Sequence, residues 1–191
     1  VDNDVRAHHV PGRRGRAPSG TGNGARYWSE PDFFSAGFAS EGLAAPDGFF
    51  AAVLESRTDL FCDLRARRGV RGREYAFANA RRLEQRLGEL AIPYRHFPEL
   101  APTRETRSLQ HAADAFSGTA KRARGELAPA FVLAYERQLD TREARAALEV
   151  IRETSAMPVL FCVERMPAAC HRSVAAARLA GSSIPIDHVL P

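Results

Sequence analysis

Short apolar runs alternate along the chain with longer stretches in which hydrophobic residues recur every three or four positions. FFSAGFAS, which follows Asp32, is the first run and ends in small residues. PDGFFAAVLES then sets Phe49, Phe50, Val53 and Leu54 on one helical stripe behind a capping residue, Asp47. Residues 60–64 predict a second strand that passes straight into a cationic loop, and a helix follows over about 75–90 with Leu83, Leu87 and Leu90 at i, i+4 and i+7. IPYRHFPEL (92–100) reads as a third strand. Residues 104–125 are polar and read as irregular chain with short helical pieces, whereas 129–154 supply two helical segments. One carries Phe131, Val132 and Tyr135, the other Ala144, Ala147, Leu148 and Ile151. PVLFCV is continuously apolar and predicts a buried fourth strand; a helix over 170–179 leads through Gly181 to a fifth, in SIPIDHVL. Strands alternating with helices in this order imply a parallel sheet with both faces covered.

Residues 1–31 do not share this pattern. They are rich in glycine and arginine, have no hydrophobic period, and read as an irregular arm ahead of a single α/β domain over 32–191. The GTGNG run at 20–24 follows no strand and lacks a Lys-Ser/Thr pair, so it reads as flexible chain, not a phosphate loop. Tyr27 and Trp28 close the arm and are suited to anchoring it on the domain.

Composition narrows the class. At 191 residues and 45% hydrophobic the chain can bury one sizeable core. No apolar run approaches the roughly 18 residues a membrane span needs, and Asp2, Asp4, His8 and His9 occupy the positions where a signal peptide would be apolar. A soluble, cytoplasmic protein with no membrane partner is the expectation. Three cysteines, at 62, 162 and 170, are too few and too oddly spaced for a disulfide framework, in keeping with a reducing compartment. Of 27 basic residues only Lys121 is a lysine, and the net charge is +4. That balance admits nucleic acid as a partner without requiring it.

In open parallel sheets ligands bind beyond the carboxyl ends of the strands. The residues that follow the strands are therefore read together. After the first strand comes Gly37; after the second, Asp63, Arg65, Arg67 and Arg68; after the third, Arg104 and Arg107; after the fourth, Glu164, Arg165, Cys170, His171 and Arg172. Cys170 falls where a helix begins, so the positive end of the helix dipole and the Arg172 cation favour a thiolate there; a small buried residue that lets the helix dock is an equal reading. Arg172 and Arg65 are candidates for an anion clamp, with Asp63 and Glu164 holding the arginines in place in preference to acting as acid or base. Neighbours on a helix point about 100° apart, so a direct Cys170–His171 pair is not assured. Cys-x7-Cys-His is no standard zinc spacing, and Cys62 and Cys162 read as core strand residues; neither a metal nor another cofactor is expected. Arg67, Arg68, Arg71 and Arg73, followed by Tyr75 and Phe77, are the densest basic-aromatic stretch, capable of gripping phosphates or of being a solvated loop.

Three motifs resemble those of the family called domain of unknown function 488, whose pattern has a strand ending in Gly-His-Ser, a strand ending in Asp-x-Arg, a strand followed by Leu-Gly, and a final Cys-x-Glu, loop, Cys-His-Arg. CDLR carries Asp63 and Arg65; ELAPTRETR carries Leu100 to Arg107; FCVERMPAACHR carries Cys162, Glu164, Cys170, His171 and Arg172. The similarity runs over roughly 33–190 in the same order, and the last motif is its most specific part. It implies a Rossmann-like α/β domain: a three-layer sandwich with a mostly parallel sheet of about five strands. Two positions depart from the pattern. The turn reads Gly37-Phe38-Ala39, without the family histidine, and Ala101 stands where the pattern has glycine.

Together these readings point to an enzyme acting on an anionic, phosphate-bearing substrate, a nucleotide or nucleic acid. Cys170, His171, Glu164 and Asp63 are its candidate catalytic residues; Arg65, Arg68, Arg107, Arg172 and Gly37 are its candidate binding residues. The alternative is a non-catalytic nucleic-acid-binding module using the same basic cleft; a protein-interaction domain that keeps the cleft as a relic is weaker.

Overall fold

The computed structural model describes residues 33–36, 46–73, 75–164, 166–182 and 184–189. The arm over 1–31, the 37–39 turn with Gly37 and Phe38, and Arg165 lie outside the described residues.

The central apolar runs form strands because each puts side chains into a core on both sides of one backbone. β2 (Leu60–Asp63) and β4 (Pro158–Phe161) are buried along their whole length. They pair in parallel, with Cys62 opposite Leu160 and Asp63 opposite Phe161. β3 (Tyr94–His96) adds to the other edge of β2 in parallel. β1 (Phe33–Ala36) and β5 (Ile186–Val189) continue the sheet beyond β4, in the order β3-β2-β4-β1-β5, again with parallel pairing.

Alternation along β2 and β4 divides the interior in two. Phe61, Val159 and Phe161 face one side, where they pack with Phe49, Phe50 and Val53 of α1 (Pro46–Glu55) and with Leu83 and Leu87 of α2 (Ala80–Glu89). Phe49 alone has four aromatic neighbours within 6.3 Å, Phe50, Phe61, Phe77 and Phe161. Leu60, Cys62, Leu64 and Leu160 face the other side and meet α4 (Pro129–Leu139), α5 (Arg142–Thr154) and α6 (His171–Ala180). Both faces are thus covered, as the strand-helix alternation predicts.

The elements differ from the sequence reading in several places. Residues 104–117 form one continuous helix, α3 (Arg104–Ser117), where irregular chain is expected. Its ends are specified locally: Thr103 Oγ1 accepts from the Thr106 amide at 3.1 Å, and Gly118 closes the helix at φ 66°. The hydrophobic period hides it, since Thr106 and Gln110 are its buried residues while Phe116 is 97% exposed. Leu54 is exposed and does not share the buried stripe of α1, and Asp47 sits in that helix's first turn. The helix expected over 75–90 is interrupted: a 3-10 turn over Ala76–Ala78 precedes α2, which starts after Asn79. The third strand is three residues long because Pro98, without an amide proton, starts a 3-10 turn. Ala101 has φ −79° and ψ 137°, an extended conformation open to any residue, so the alanine in place of the pattern's glycine costs the backbone nothing.

Candidate functional site

β2 and β4 are neighbours whose chains depart to opposite faces: beyond β2 the chain goes to α2, and beyond β4 to α6. The divergence opens a crevice between their carboxyl ends. A cavity of about 360 Å³ lies there, lined by the loop after β2, by α3, by the chain leading into α4 and by the exit of β4.

The exit of β2 is held by a buried ion pair. Asp63 is fully buried; its Oδ1 accepts from the backbone N–H of Arg65 at 3.1 Å and from Arg65 Nε at 2.8 Å. Its Oδ2 accepts from Arg65 Nη2 at 2.7 Å and from the Tyr94 hydroxyl at 2.8 Å. Arg65 also donates to the Ala78 carbonyl at 2.7 Å and lies 4.8 Å above the Phe161 ring. Burial, with the neighbouring Asp63 carboxylate, pushes the Tyr94 phenol up to about 12, so it stays a donor at neutral pH. Arg68 turns out of the cavity towards Glu84 and the Tyr94 hydroxyl. Asn79 closes the loop, accepting from the Val70 amide at 2.9 Å and donating to the Ala76 carbonyl at 3.2 Å. What the loop offers the cavity from its free face is Arg67.

The exit of β4 brings two thiols and an imidazole together. Cys162 is the first residue beyond the strand, Cys170 is the N-cap of α6 and His171 its first residue. One ligand-type atom from each of the three lies within 4.8 Å of the others, all three residues are buried, and all three line the cavity. His171 is oriented from two sides. Its Nε2 is 3.3 Å from the Leu64 carbonyl oxygen, and its ring meets Tyr135 edge-on at 5.6 Å, while the Tyr135 hydroxyl is anchored on the Leu100 carbonyl at 2.5 Å. A carbonyl can only accept, so Nε2 is the donor there, and the other ring nitrogen, Nδ1, lies 3.9 Å from Cys170 Sγ. A hydrogen bond from the Cys170 thiol, with His171 adding, outweighs burial and holds Cys162 well below the usual thiol range. Burial and the neighbouring Cys162 push Cys170 well above it. Burial beside a second sulfur thus works against the helix dipole at Cys170, and of the two neighbouring thiols the one at Cys162 is the more favoured to ionise. Cys62 is pushed up by burial and is a core residue of β2.

Arg172 follows His171 but does not share its position. It is fully buried and donates to the Glu164 carbonyl at 2.6 Å, tying the loop between β4 and α6 to the helix; it is not among the cavity-lining residues. The Glu164 carboxylate faces the cavity and pairs with Lys121 Nζ at 2.8 Å.

α3 supplies the opposite wall. Arg107 and His111, four residues apart on one helical face, both line the cavity, and both are exposed. Neither makes a side-chain hydrogen bond or ion pair with a described residue, and nor does Arg67. Gln110 between them is buried, donating to Asp114 at 2.8 Å and accepting from the Ala128 amide at 2.8 Å. Arg124 is held in the wall by bonds to both oxygens of Asp114. Arg65, Arg67, Arg107, Lys121 and Arg124 thus surround the cavity, and among the described residues Glu164 supplies the one lining carboxylate.

Of the residues expected at the site, the structure brings Cys170, His171, Glu164, Arg65 and Arg107 to one cavity. Asp63 stands behind Arg65, Arg172 lies in the interior, Arg68 points away, and Gly37 is outside the described residues. His111, Lys121 and Arg124 are additions, and Arg67 and Cys162, read in the sequence as part of a basic loop and as a core strand residue, join them at the cavity. Cys162, carried by the last motif, reads as a core strand residue because it is the last letter but one of the apolar run PVLFCV, which overshoots the strand by two residues. Among the described residues no helix is long and apolar enough to cross a membrane.

Residues 49–179 match the model of the family described as domain of unknown function DUF488. No curated protein and no solved structure matches the chain.

Proposed function

The chain belongs to the DUF488 family, and on that premise we propose that it is an enzyme acting on an anionic, phosphate-bearing substrate, a nucleotide or a nucleic acid end, bound in the cavity beyond β2 and β4. The observation that carries the reading is the pairing of walls: the Cys162–Cys170–His171 cluster on one side, and on the other Arg67, Arg107 and His111, whose side chains make no hydrogen bond or ion pair with a described residue. Guanidinium groups bind phosphate bidentately, and a cavity with several cations and one carboxylate favours a substrate of opposite charge. The clamp in this reading is Arg67 and Arg107, because the guanidinium groups of Arg65 and Arg172 are engaged within the protein. Asp63, Arg65, Tyr94 and Arg172 are positioning residues that hold the two strand exits apart. The Lys121–Glu164 pair stands at the edge, where Glu164 can accept a proton once a substrate phosphate draws Lys121 away. The fold reading that accompanies this proposal is a Rossmann-like three-layer sandwich, supported by the parallel pairing and by helices on both faces.

The test is calorimetric titration of the full chain with inorganic phosphate and with adenosine monophosphate, followed by chromatographic detection of turnover across a nucleotide and oligonucleotide panel. Binding that weakens at least about tenfold in Arg67→Ala with Arg107→Ala, about 1.4 kcal/mol, is the expected result. Binding unchanged by the double substitution would remove the anion clamp. Binding retained with no conversion of any panel member would make the protein a binding module.

A further inference from the structure

We propose that Cys162, Cys170 and His171 form a three-ligand zinc site whose fourth position opens into the cavity. The inference concerns the cluster alone and stands whatever substrate the cavity takes.

The distances suit the metal. Zinc binds thiolate at about 2.3 Å and imidazole nitrogen at about 2.0–2.1 Å in tetrahedral geometry, which places neighbouring ligand atoms roughly 3.5–3.8 Å apart. The three ligand atoms here lie within 4.8 Å of one another, and the Cys170 Sγ to His171 Nδ1 separation is 3.9 Å. The Cys170–His171 separation already fits, and closing the widest of the three by about 1 Å or less brings all of them to a common centre. The chemistry suits it as well: two sulfurs and an imidazole, with no carboxylate in the cluster, select a borderline-soft ion such as zinc over magnesium or calcium.

The second shell is already in place. A ligating histidine ordinarily donates its other ring N–H to a carboxylate or a backbone carbonyl, which fixes tautomer and ring direction. His171 Nε2 faces the Leu64 carbonyl and leaves the Nδ1 lone pair towards the sulfurs, with Tyr135 against the ring. The Leu64 carbonyl satisfies one ring nitrogen and the Tyr135 ring fixes the plane. Together they aim it.

The sequence spacing argues against zinc only if the ligands come from a local knuckle. Here the fold supplies them from two rigid elements, the end of β4 and the start of α6, so the seven intervening residues need make no turn around a metal. Three protein ligands on a cavity wall are the arrangement of an open site, in which a water or a substrate oxygen takes the fourth position; closed structural sites use four.

The experiment uses the full chain, untagged, reduced and purified with added Zn(II), then dialysed and measured for metal by mass spectrometry. About one equivalent of zinc should remain, falling below about 0.1 in Cys162→Ser and in Cys170→Ser, with circular dichroism to show that both variants fold. In the wild-type chain Co(II) should give the visible bands of tetrahedral coordination and a near-ultraviolet thiolate-to-metal band, and bound Zn(II) should protect two of the three thiols from a disulfide reagent. A folded, reduced wild-type chain that retains less than about 0.1 equivalent, or that gives only the weak spectrum of octahedral oxygen coordination with Co(II), overturns the site. Zinc retained equally by both folded serine variants does so too. Because phosphate binding depends on Arg67 and Arg107, its presence or loss reports on the substrate reading separately.

Discussion

Replacing Asp63 by alanine isolates a positive charge in the protein interior. The carboxylate is fully buried and accepts four hydrogen bonds, three from Arg65 and one from Tyr94. Arg65 is 4% exposed and would keep only the Ala78 carbonyl and the Phe161 ring. Removing one member of such a pair costs about 3–5 kcal/mol, most of it the unpaired charge left behind. With a urea dependence of about 2 kcal/mol per molar, that loss moves the midpoint down by roughly 1.5–2.5 M, read by far-ultraviolet circular dichroism. A companion chain with Asp63→Leu and Arg65→Met should recover much of the loss, since exchanging both charges for apolar groups of similar size is near neutral. A midpoint shift in Asp63→Ala below about 0.5 M, or a double variant less stable than Asp63→Ala alone, would refute the reasoning.

Other outcomes follow from the same geometry. Thr103→Ala should cost about 1 kcal/mol in thermal or urea unfolding by removing the cap of α3, and Gly118→Ala about as much by forcing a side chain into the left-handed region at its other end. The Arg124 guanidinium, bonded to both oxygens of Asp114, holds that carboxyl below its ordinary value of 3.8. Because the folded value is the lower one, the pair stabilises the fold fully above about pH 4 and loses that contribution as pH falls further, so the wild-type advantage over Asp114→Asn in urea midpoint should shrink below pH 4. If the ligand is a single strand of nucleic acid, Arg67→Ala and Arg107→Ala should each flatten the plot of log K against log salt by about 0.7, one neutralised phosphate fewer, and Arg68→Ala should leave the slope unchanged.

The sequence discloses elements whose side chains do one job and obscures those whose side chains do two. β2 and β4 are legible because every residue in them is apolar or paired, and the i, i+2 relation of Asp63 and Arg65 places both on one side of an extended chain. α3 is not, because it spends its inward positions on Thr106 and Gln110, its cavity face on Arg107 and His111, and leaves Phe116 in solvent. Cys162 shares the hydrophobicity of the strand before it, and no pattern in PVLFCV marks where the backbone stops pairing. Arg172 reads as a ligand for the reason that it is charged and next to the motif, yet the second position of α6 points into the domain. Position along a helix start, and not residue type, separates His171 from Arg172.

The pairing of β2 with β4 also sets an order of assembly. Asp59 accepts from the amides of Ala156 and Met157, 97 and 98 residues downstream, and β2 has its inner neighbour only when β4 arrives. During synthesis the apolar edge of β2 therefore waits, hydrogen-bonding groups unmatched, while α2, β3 and three further helices emerge. Closing so long a loop is slow, and an unsatisfied strand edge is a template for pairing with another chain. At roughly 5–20 residues per second the wait lasts about 5–20 seconds. Recovery of native protein should accordingly depend on chaperone supply and growth temperature more than on equilibrium stability, and the cavity cannot form until β4, which ends one residue before Cys162, has paired and α6 has followed it.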